Sequence, residues 1–457
     1  VSLPDCDVLV IGAGATGLTC GYALHEHGCD VRVVEEGDEP GGVIRSERVD
    51  GYLLERGPNS TLNTSRRVEQ WLAAVGALPA KCPAPTAAAR RYILRDGHLH
   101  PLPTGPLSFL RTPVWRMRGK LRAMAEPFIP RRRERSEESI ADFVRRRLGQ
   151  ELLDYALDPF VSGVYAGDPE QISIGAAFPL MEGFERDHGG LIRGALKTAK
   201  DRKADPDRPA DRTLYSFREG MQQPMHAVAA ALGERLHLGH EANTVVTTDG
   251  GFRIETDRGT FTARRLVCAT SARAAGAILT SLVPEAAALL RTIEHNPVAQ
   301  VYLGYRREAI GHPLDGFGAL FPSKEGRLTL GSLWSSTLFP NRAPDGHELL
   351  TNFAGGARHL EIRDMPDATI LARVIAELTP LLGLRGEPAF SEVHRLPHAI
   401  PHYTLGHGGR VERILAAVAA VPGLHLTGNY LQGVSVADCW KRGLALAEHL
   451  AVGTTGG

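Results

Sequence analysis

The sequence predicts a mixed α/β (α+β) fold in which one domain is assembled from separated stretches of chain. Three observations carry this. Residues 7–42 follow a strand–turn–helix–strand order: apolar Val8–Ile11 enters Gly12-Ala13-Gly14-Ala15-Thr16-Gly17, and a second apolar run, VRVV, ends at Glu35. Between about 295 and 360 strand patterns dominate, in AQVYLGYR, GFGALFP, RLTLGSLW and LLTNFAGG. Near the other end LHLTG leads to VSVADCWKRGLALAEHLA, a strand–turn–helix unit that reads as a returning piece of the opening domain.

The elements between follow in order. Gly41-Gly42 comes after the opening unit, then a strand-like GYLLE that ends in Arg56-Gly57-Pro58-Asn59, then an amphipathic helical pattern at 66–76. RRYILRDGHLHPLP (90–103) alternates with period two around Asp96-Gly97, a hairpin signal. Residues 105–200 read as helical and rich in Arg, and TAKDRKADPDRPADR (198–212) as an exposed loop. A helical MQQPMHAVAAALGERL precedes short strands in HLGHEANTVV, GGFRIETDRGTFTA and RRLVCAT. A helix at 368–382 and a Pro-rich segment lead into the closing unit.

Composition narrows the class. A chain of 457 residues has room for two or three domains around separate cores. Its 52 basic and 52 acidic residues cancel, so no global charge points to nucleic acid. The six Cys are scattered without a C-x-x-C, which fits free thiols in a reducing compartment. No signal-peptide pattern and no apolar run of bilayer length are present, so a cytoplasmic location is expected.

The glycine turn carries chemistry. Gly12 permits the tight turn, Gly14 lets backbone approach a pyrophosphate, and Gly17 allows close helix–strand packing. Unpaired N–H groups at the helix start favour phosphates. Glu35 is placed to accept ribose hydroxyls. This is a Rossmann-like dinucleotide site. NAD alone would leave other features idle. Gly41-Gly42, Arg45 and Glu55-Arg56-Gly57-Pro58-Asn59 form a second Gly-rich set that suits a flat ring. Gly428-Asn-Tyr-Leu-Gln-Gly433-Val434-Ser435-Val436 puts another Gly turn before a helix, where N–H groups can face a ring edge that becomes negative on reduction. Each element alone reads as an ordinary capped turn; together they argue for FAD. Cys439 sits inside the terminal helix, so the FAD is expected to be non-covalent.

With these residues in place, the chain resembles the protoporphyrinogen IX oxidase family of the FAD-dependent, amine-oxidase-like superfamily. The likeness covers nearly the full length, through EPGGVIRSE, LERGPNS, RRYILRDGHLHPLPTGP, VSGVYAGDPEQISI, GFGALFPSKEG, LTLGSLWSSTLFPNRAP, IPHYTLGH and GNYLQGVSVADC. The resemblance implies FAD, substrate and helical membrane-binding domains. The expected boundaries are 1–85, 213–280 and 416–457 for FAD, 86–104 and 281–415 for substrate, and 105–197 for the helical part.

The resemblance also implies roles. Gly12, Ala13, Gly14, Ala15, Thr16, Gly17, Glu35 and Glu36 would hold the ADP half. Gly41, Gly42, Arg45, Gly57, Pro58 and Asn59 would lie toward the flavin, with Gly428, Val434, Ser435 and Val436 at its pyrimidine edge. Ala242 stands where the family usually has a Val whose main chain meets the adenine. Arg91 matches an arginine used toward a substrate propionate, Gly163 a glycine whose main chain faces a pyrrole, and Leu320, Leu333 and Phe353 the apolar walls around the macrocycle. From pattern alone Arg91 is a surface cation on a hairpin, Gly163 a turn residue, and the three others core.

Other constellations carry less. His394, His398, His402 and His407 are close in sequence, but Pro397 and Pro401 oppose a regular helix and no carboxylate is nearby, so no metal is expected. Lys324 is no evident substitute for an amine-oxidase lysine. The stretch PVWRMRGKLRAMAEPFIPRRRERSEES reads either as a solvated helix with a charged loop or as an interfacial segment. In the second case Trp115, Met117, Leu121, Met124 and Phe128 dip into lipid, and the resemblance favours this. The resulting expectation is a peripheral membrane FAD oxidase, compatible with a homodimer, that takes six electrons from a porphyrinogen in three steps and passes them to O₂ or a quinone. No side-chain general base is assigned. Coproporphyrinogen III oxidation, amine oxidation and a non-catalytic flavoprotein scaffold remain as rivals.

Overall fold

Apolar residues on both faces of one strand explain the first sheet. The computed structural model describes residues 4–132 and 136–452, and for 200–203 the backbone alone. In Cys6–Ile11, Val8 and Val10 face Leu18, Trp71 and Trp440, while Leu9 and Ile11 face Phe252, Leu290 and Ile414. Such two-sided burial is what a parallel strand between helical layers requires. Val31–Val34 and Gly259–Cys268 flank it in parallel, with Val8 opposite Val31 and Arg265. Leu236–His237 pairs parallel to Val31–Val34, and Leu424–Leu426 pairs parallel to Gly259–Cys268. Antiparallel Gly251–Thr256 and Ala242–Thr248 extend the sheet.

Five helices matter for the site: α1 (Ala15–Glu26), α2 (Met117–Met124), α3 (Asp158–Tyr165), α4 (His407–Ala419) and α5 (Val436–Val452). α1 and α5 cover one face of the first sheet through Leu18, Leu24, Trp440 and Ala447, and α4 joins the other face through Ile414 and Val418. The two helices from opposite ends of the chain touch at Gly443. A Cβ there would lie 2.7 Å from the Thr16 carbonyl oxygen and 2.9 Å from Thr19 Cβ.

The second sheet runs in the order Phe390–Pro401, His295–Arg306, His347–Gly355, Thr329–Trp334, Gly318–Leu320, Tyr92–Arg95, His98–Pro101. The early hairpin thus joins strands made much later, through parallel pairing of Tyr92 with Ala319. Helix Asp367–Leu382 covers this sheet with Ile370, Val374, Leu378 and Leu382. The helices between 106 and 204 form their own core around Phe143, Val144, Leu153, Val161 and Tyr165. Beside it lies a fully buried ion pair, Arg147 with Glu126, whose oxygens also accept the Leu191 N–H (2.7 Å) and the Ile192 N–H (3.1 Å). Satisfying both charges in this way offsets their desolvation.

Three local expectations are corrected. Helix Leu191–Ala204 continues through 198–204, which were expected as loop, because nothing interrupts it before Pro206. The Pro-rich segment is the edge strand Phe390–Pro401, bonded to His295–Arg306; an edge strand tolerates the missing N–H of Pro397 and Pro401. Trp115 does not face outward: it is 6% exposed and packs against Phe109, ring centroids 5.3 Å apart.

Candidate functional site

At the end of Cys6–Ile11 the chain turns through Gly12 at φ +103°, where a Cβ would meet the Ala269 carbonyl at 3.0 Å. A Cβ on Gly17 would lie 1.9 Å from the Gly12 oxygen. At Gly14 a Cβ would meet nothing within 4 Å. The first and third glycines therefore close the turn, while the second opens a cradle at the start of α1. No side chain caps that helix, so Ala15, Thr16 and Gly17 bring unclaimed N–H groups and partial positive charge to the cradle.

Glu35 closes one side. Its Oε2 accepts the Ala13 N–H at 2.6 Å and its Oε1 the Gly37 N–H at 3.1 Å, and no cation pairs with it among the described residues. Desolvation raises the neighbouring Glu36 carboxyl, with repulsion from Glu35 and Glu241 adding to it. This acidic edge suits a ribose diol and repels a 2′-phosphate. Ala242 opens its strand next to Glu241.

The second glycine set rests on the first. The Gly41 N–H donates to the Ala13 carbonyl at 2.8 Å, and a Cβ on Gly42 would be 3.2 Å from Gly14 Cα. A Cβ on Gly57 would be 2.0 Å from the Val43 oxygen. The Arg56 N–H donates to the Arg45 carbonyl at 2.8 Å, and Asn59 Nδ2 donates to Gly57 O at 3.2 Å, so Pro58 sits inside a closed turn. Two side chains of the second sheet hold this segment: Gln300 Nε2 donates to Gly57 O (2.9 Å) and the Tyr302 hydroxyl to Glu55 O (2.6 Å).

The turn before α5 has its carbonyls tied inward. Arg442 donates to the carbonyls of Gly428 and Gln432, and the Tyr403 hydroxyl donates to that of Asn429. Ser435 Oγ accepts the Asp438 N–H at 3.1 Å and donates to Asp438 Oδ2 at 2.6 Å, a capping exchange that fixes the start of α5 beside Val434 and Val436. His407 lies behind the turn, 1% exposed and stacked on Tyr403 at 4.3 Å and 17°. The Tyr430 and Leu431 carbonyls lie toward its ring, yet neither ring nitrogen completes a hydrogen bond.

The five expected substrate residues meet on the second sheet. Gly163 on α3 faces Leu320, whose Cδ2 would be 2.7 Å from a Cβ at 163. Leu320 pairs with Gly331, which pairs in turn with Phe353. Phe353 and Leu333 share a cluster with Ala88, Phe317 and Phe339. The Arg91 guanidinium lies 5.1 Å over the Phe317 ring. Its side chain is accessible, desolvation by surrounding atoms lowers its pKa, and it has no carboxylate partner among the described residues; neighbouring Arg90 pairs with Asp315. Phe353 is also cross-strand partner to Gln300, so this apolar face abuts the held Gly57 segment.

Residues 15–451 match the family of flavin containing amine oxidoreductases. The chain belongs to this family. Over 98% of its length this flavin-dependent oxidoreductase is 33% identical to the chloroplastic protoporphyrinogen oxidase of Nicotiana tabacum, covering 85% of that protein. It is 27% identical to the coproporphyrinogen III oxidase of Bacillus subtilis (strain 168), over 96% of each chain. In fold it is similar to a solved Exiguobacterium sp. 255-15 protein with a provisional protoporphyrinogen oxidase assignment (TM-score 0.82, 23% identity, 99% of this chain and 100% of that one). The cofactor of an oxidoreductase of this family is FAD, and the open cradle at Gly14 with the acidic edge at Glu35 fits its nucleotide half.

Gln300, Tyr302, Arg442, Tyr403 and His407 were not legible as site residues. Gln300 and Tyr302 act on backbone 243 and 247 residues away, Tyr403 and Arg442 on the carbonyls of a turn, and His407 by packing behind it, and no local spacing marks any of these.

Two outcomes are expected. Gly14→Val places its side chain in open space and blocks the cradle, so circular dichroism stays that of the wild type while titration shows FAD binding weakened about 100-fold, about 2.7 kcal/mol. Burial, with repulsion from Arg410, holds His407 down to about 4 from 6.5. Between those values the unfolded chain binds a proton that the native state refuses. The contribution is thus whole above pH 6.5 and is lost as pH falls toward 4, by about 3 kcal/mol. The thermal midpoint of His407→Gln should accordingly fall less than that of the wild type between pH 7 and 5; parallel falls would refute the assignment.

Proposed function

We propose that this oxidoreductase converts protoporphyrinogen IX to protoporphyrin IX in tetrapyrrole biosynthesis. One observation carries the reading: a guanidinium with no carboxylate partner among the described residues, Arg91, lies over Phe317 in the apolar cluster of Leu333 and Phe353, on the sheet whose Leu320 meets Gly163, and we read this apolar face as one wall of a substrate cleft. A porphyrinogen is a broad apolar ring with carboxylate arms, and such a ligand needs flat walls and a bidentate cation. The names of the relatives support the same substrate class.

Bound FAD supplies the two-electron redox chemistry. The residues of the chain orient and exclude. Arg91 anchors a propionate, the cleft walls displace water from the ring, and Gln300 and Tyr302 fix the Glu55–Gly57 backbone against the cleft. Arg442 and Tyr403 hold the Gly428, Gln432 and Asn429 carbonyls, and with the Ala437 and Asp438 N–H groups committed to Thr61 and Ser435, the N–H groups of Ser435 and Val436 are the ones that would meet negative charge at a bound ring edge. None of the wall residues is an acid or base, so no side chain is assigned to proton transfer. O₂ or a quinone is the proposed acceptor. The cofactor-binding unit is read as including 284–291 and α4, which pack on the first sheet, so the substrate sheet is entered at His295 and left at Pro401.

Coproporphyrinogen III is the second reading, favoured by the Bacillus relative; its four carboxylates would call for more cations than Arg91 offers. Anaerobic addition of each porphyrinogen to the FAD-loaded protein separates the two. Protoporphyrinogen should bleach the flavin band and yield porphyrin fluorescence, and Arg91→Met should raise KM about 10- to 100-fold with a smaller effect on kcat. A flavin band that persists with both porphyrinogens would overturn the reading.

The helical part is proposed to rest on a membrane surface. Met117, Leu121 and Met124 on α2, with Phe128 beyond it, are 60%, 57%, 51% and 84% exposed, and Leu107 and Leu110 extend the patch. Pro103, Pro106, Phe109, Leu110 and Met124 line an adjoining cavity of about 380 Å³. Arg116 and Arg118 remain to meet anionic headgroups, whereas Lys120 and Arg122 turn inward to the carbonyls of Leu110, Thr112, Arg146 and Arg147. Residues 133–135 of this stretch lie outside the described residues. No described helix is long and apolar enough to cross a membrane. Sedimentation with anionic vesicles should weaken about tenfold for the Leu121→Glu, Phe128→Glu pair; unchanged sedimentation would sink the assignment.

A further inference from the structure

Three of the four wall residues sit on elements distant in sequence: α3 carries Gly163, Gly318–Leu320 carries Leu320, and His347–Gly355 carries Phe353. One side chain reaches all three. Arg358 stands in the short turn that directly follows the Phe353 strand. Its Nη2 donates to Asp158 Oδ1 (2.6 Å), Asp158 O (3.2 Å) and Ser162 Oγ (2.9 Å), all on α3. Its Nη1 donates to the carbonyl of Phe321, the residue after Leu320, at 3.1 Å. Asp158 is 5% exposed and uses its other oxygen, Oδ2, to accept the Ser323 N–H (2.9 Å) and hydroxyl (3.1 Å).

The far end of α3 is tied to the same turn. Ala166 ends the helix at φ +48°, and its carbonyl accepts the Ala357 N–H (2.8 Å) and Asn296 Nδ2 (3.1 Å). A left-handed non-glycine residue persists only where its surroundings over-determine it. A π-helical turn, Leu153–Leu157, leads into α3, a feature common near functional sites. There is no slack across the gap, since a Cβ on Gly163 would sit 2.7 Å from Leu320 Cδ2. Packing alone would bring a helix to a sheet. A buried, forked ion pair adds direction, because its hydrogen bonds are met in one relative placement only.

We propose that Arg358 and Asp158 are positioning residues that lock α3 to the Leu320 and Phe353 strands and so set the width of the substrate cleft. The inference rests on the substrate reading above. Neither residue touches the cofactor segments, so cofactor properties and substrate fit should separate.

Steady-state kinetics with protoporphyrinogen IX on FAD-loaded protein test it. Arg358→Met should raise KM about tenfold with kcat changed less than about threefold, while FAD content and flavin reduction potential stay those of the wild type. Arg358→Lys should recover part of the loss. Ser323→Ala removes one hydrogen bond and should shift KM about twofold in the same direction, and it carries the test if Arg358→Met fails to fold. Gly163→Ala should harm kcat/KM less in the Arg358→Met background than in the wild type, since a loosened cleft has room for the methyl group. An unchanged KM, strictly additive effects of the two substitutions, or loss of FAD in step with activity would overturn the proposal. A wild-type protein that leaves porphyrinogen untouched would instead remove the substrate reading, and this inference with it.

Discussion

Helix α5 reaches α1 because position 443 has no side chain. With the Thr16 oxygen 2.7 Å and Thr19 Cβ 2.9 Å from where a Cβ would be, any larger residue would push the two helices apart. That contact fixes α5 against the helix that follows the Gly12–Gly17 loop, as the proposed cofactor site requires of its two ends. Inserting a methyl group against backbone typically costs about 1–3 kcal/mol. Here it would also displace the start of α5, which carries the polar end of the site.

The second constraint is the seam between the two sheets. Gln300 and Tyr302 are buried, and both spend their polar atoms on backbone of the 55–57 segment. Gln300 lies opposite Phe353, so the strand that holds the proposed cofactor segment also supports a wall of the proposed cleft. Geometry at the seam is therefore shared: a shift of His295–Arg306 would move the Gly57 backbone and the Phe353 ring together. An oxidation that depends on the distance between two rings benefits from such coupling, because small displacements cost large factors in rate.

Much of the fold could be read from local pattern, and the reasons differ by element. Gly12 and Gly17 were legible because each serves a backbone need that no other residue meets, and Gly14 by its spacing between them. The 90–103 hairpin showed itself by period two around Asp96-Gly97. Its membership of a sheet built some two hundred residues later did not, since strand pairing leaves no local trace. Pro397 and Pro401 disguised an edge strand, and the polar composition of 198–204 disguised a helix. Trp115 looked like a membrane anchor because its neighbours are exposed apolar residues, yet Phe109 covers it. Apolar walls such as Leu320 and Leu333 carry no signature apart from family resemblance. Arg358 and Asp158 were invisible for a plainer reason: their value lies in bonds across about two hundred residues of chain.

The interleaving of the chain has a consequence for biosynthesis. The phosphate cradle leaves the ribosome before the helical insert and the second sheet, whereas α5, which the proposed site also needs, emerges after them. In the interval a nascent polypeptide presents half of the proposed site, and contacts this distant in sequence form slowly. Tight capture of the cofactor is then a late event, one that awaits the intervening domains.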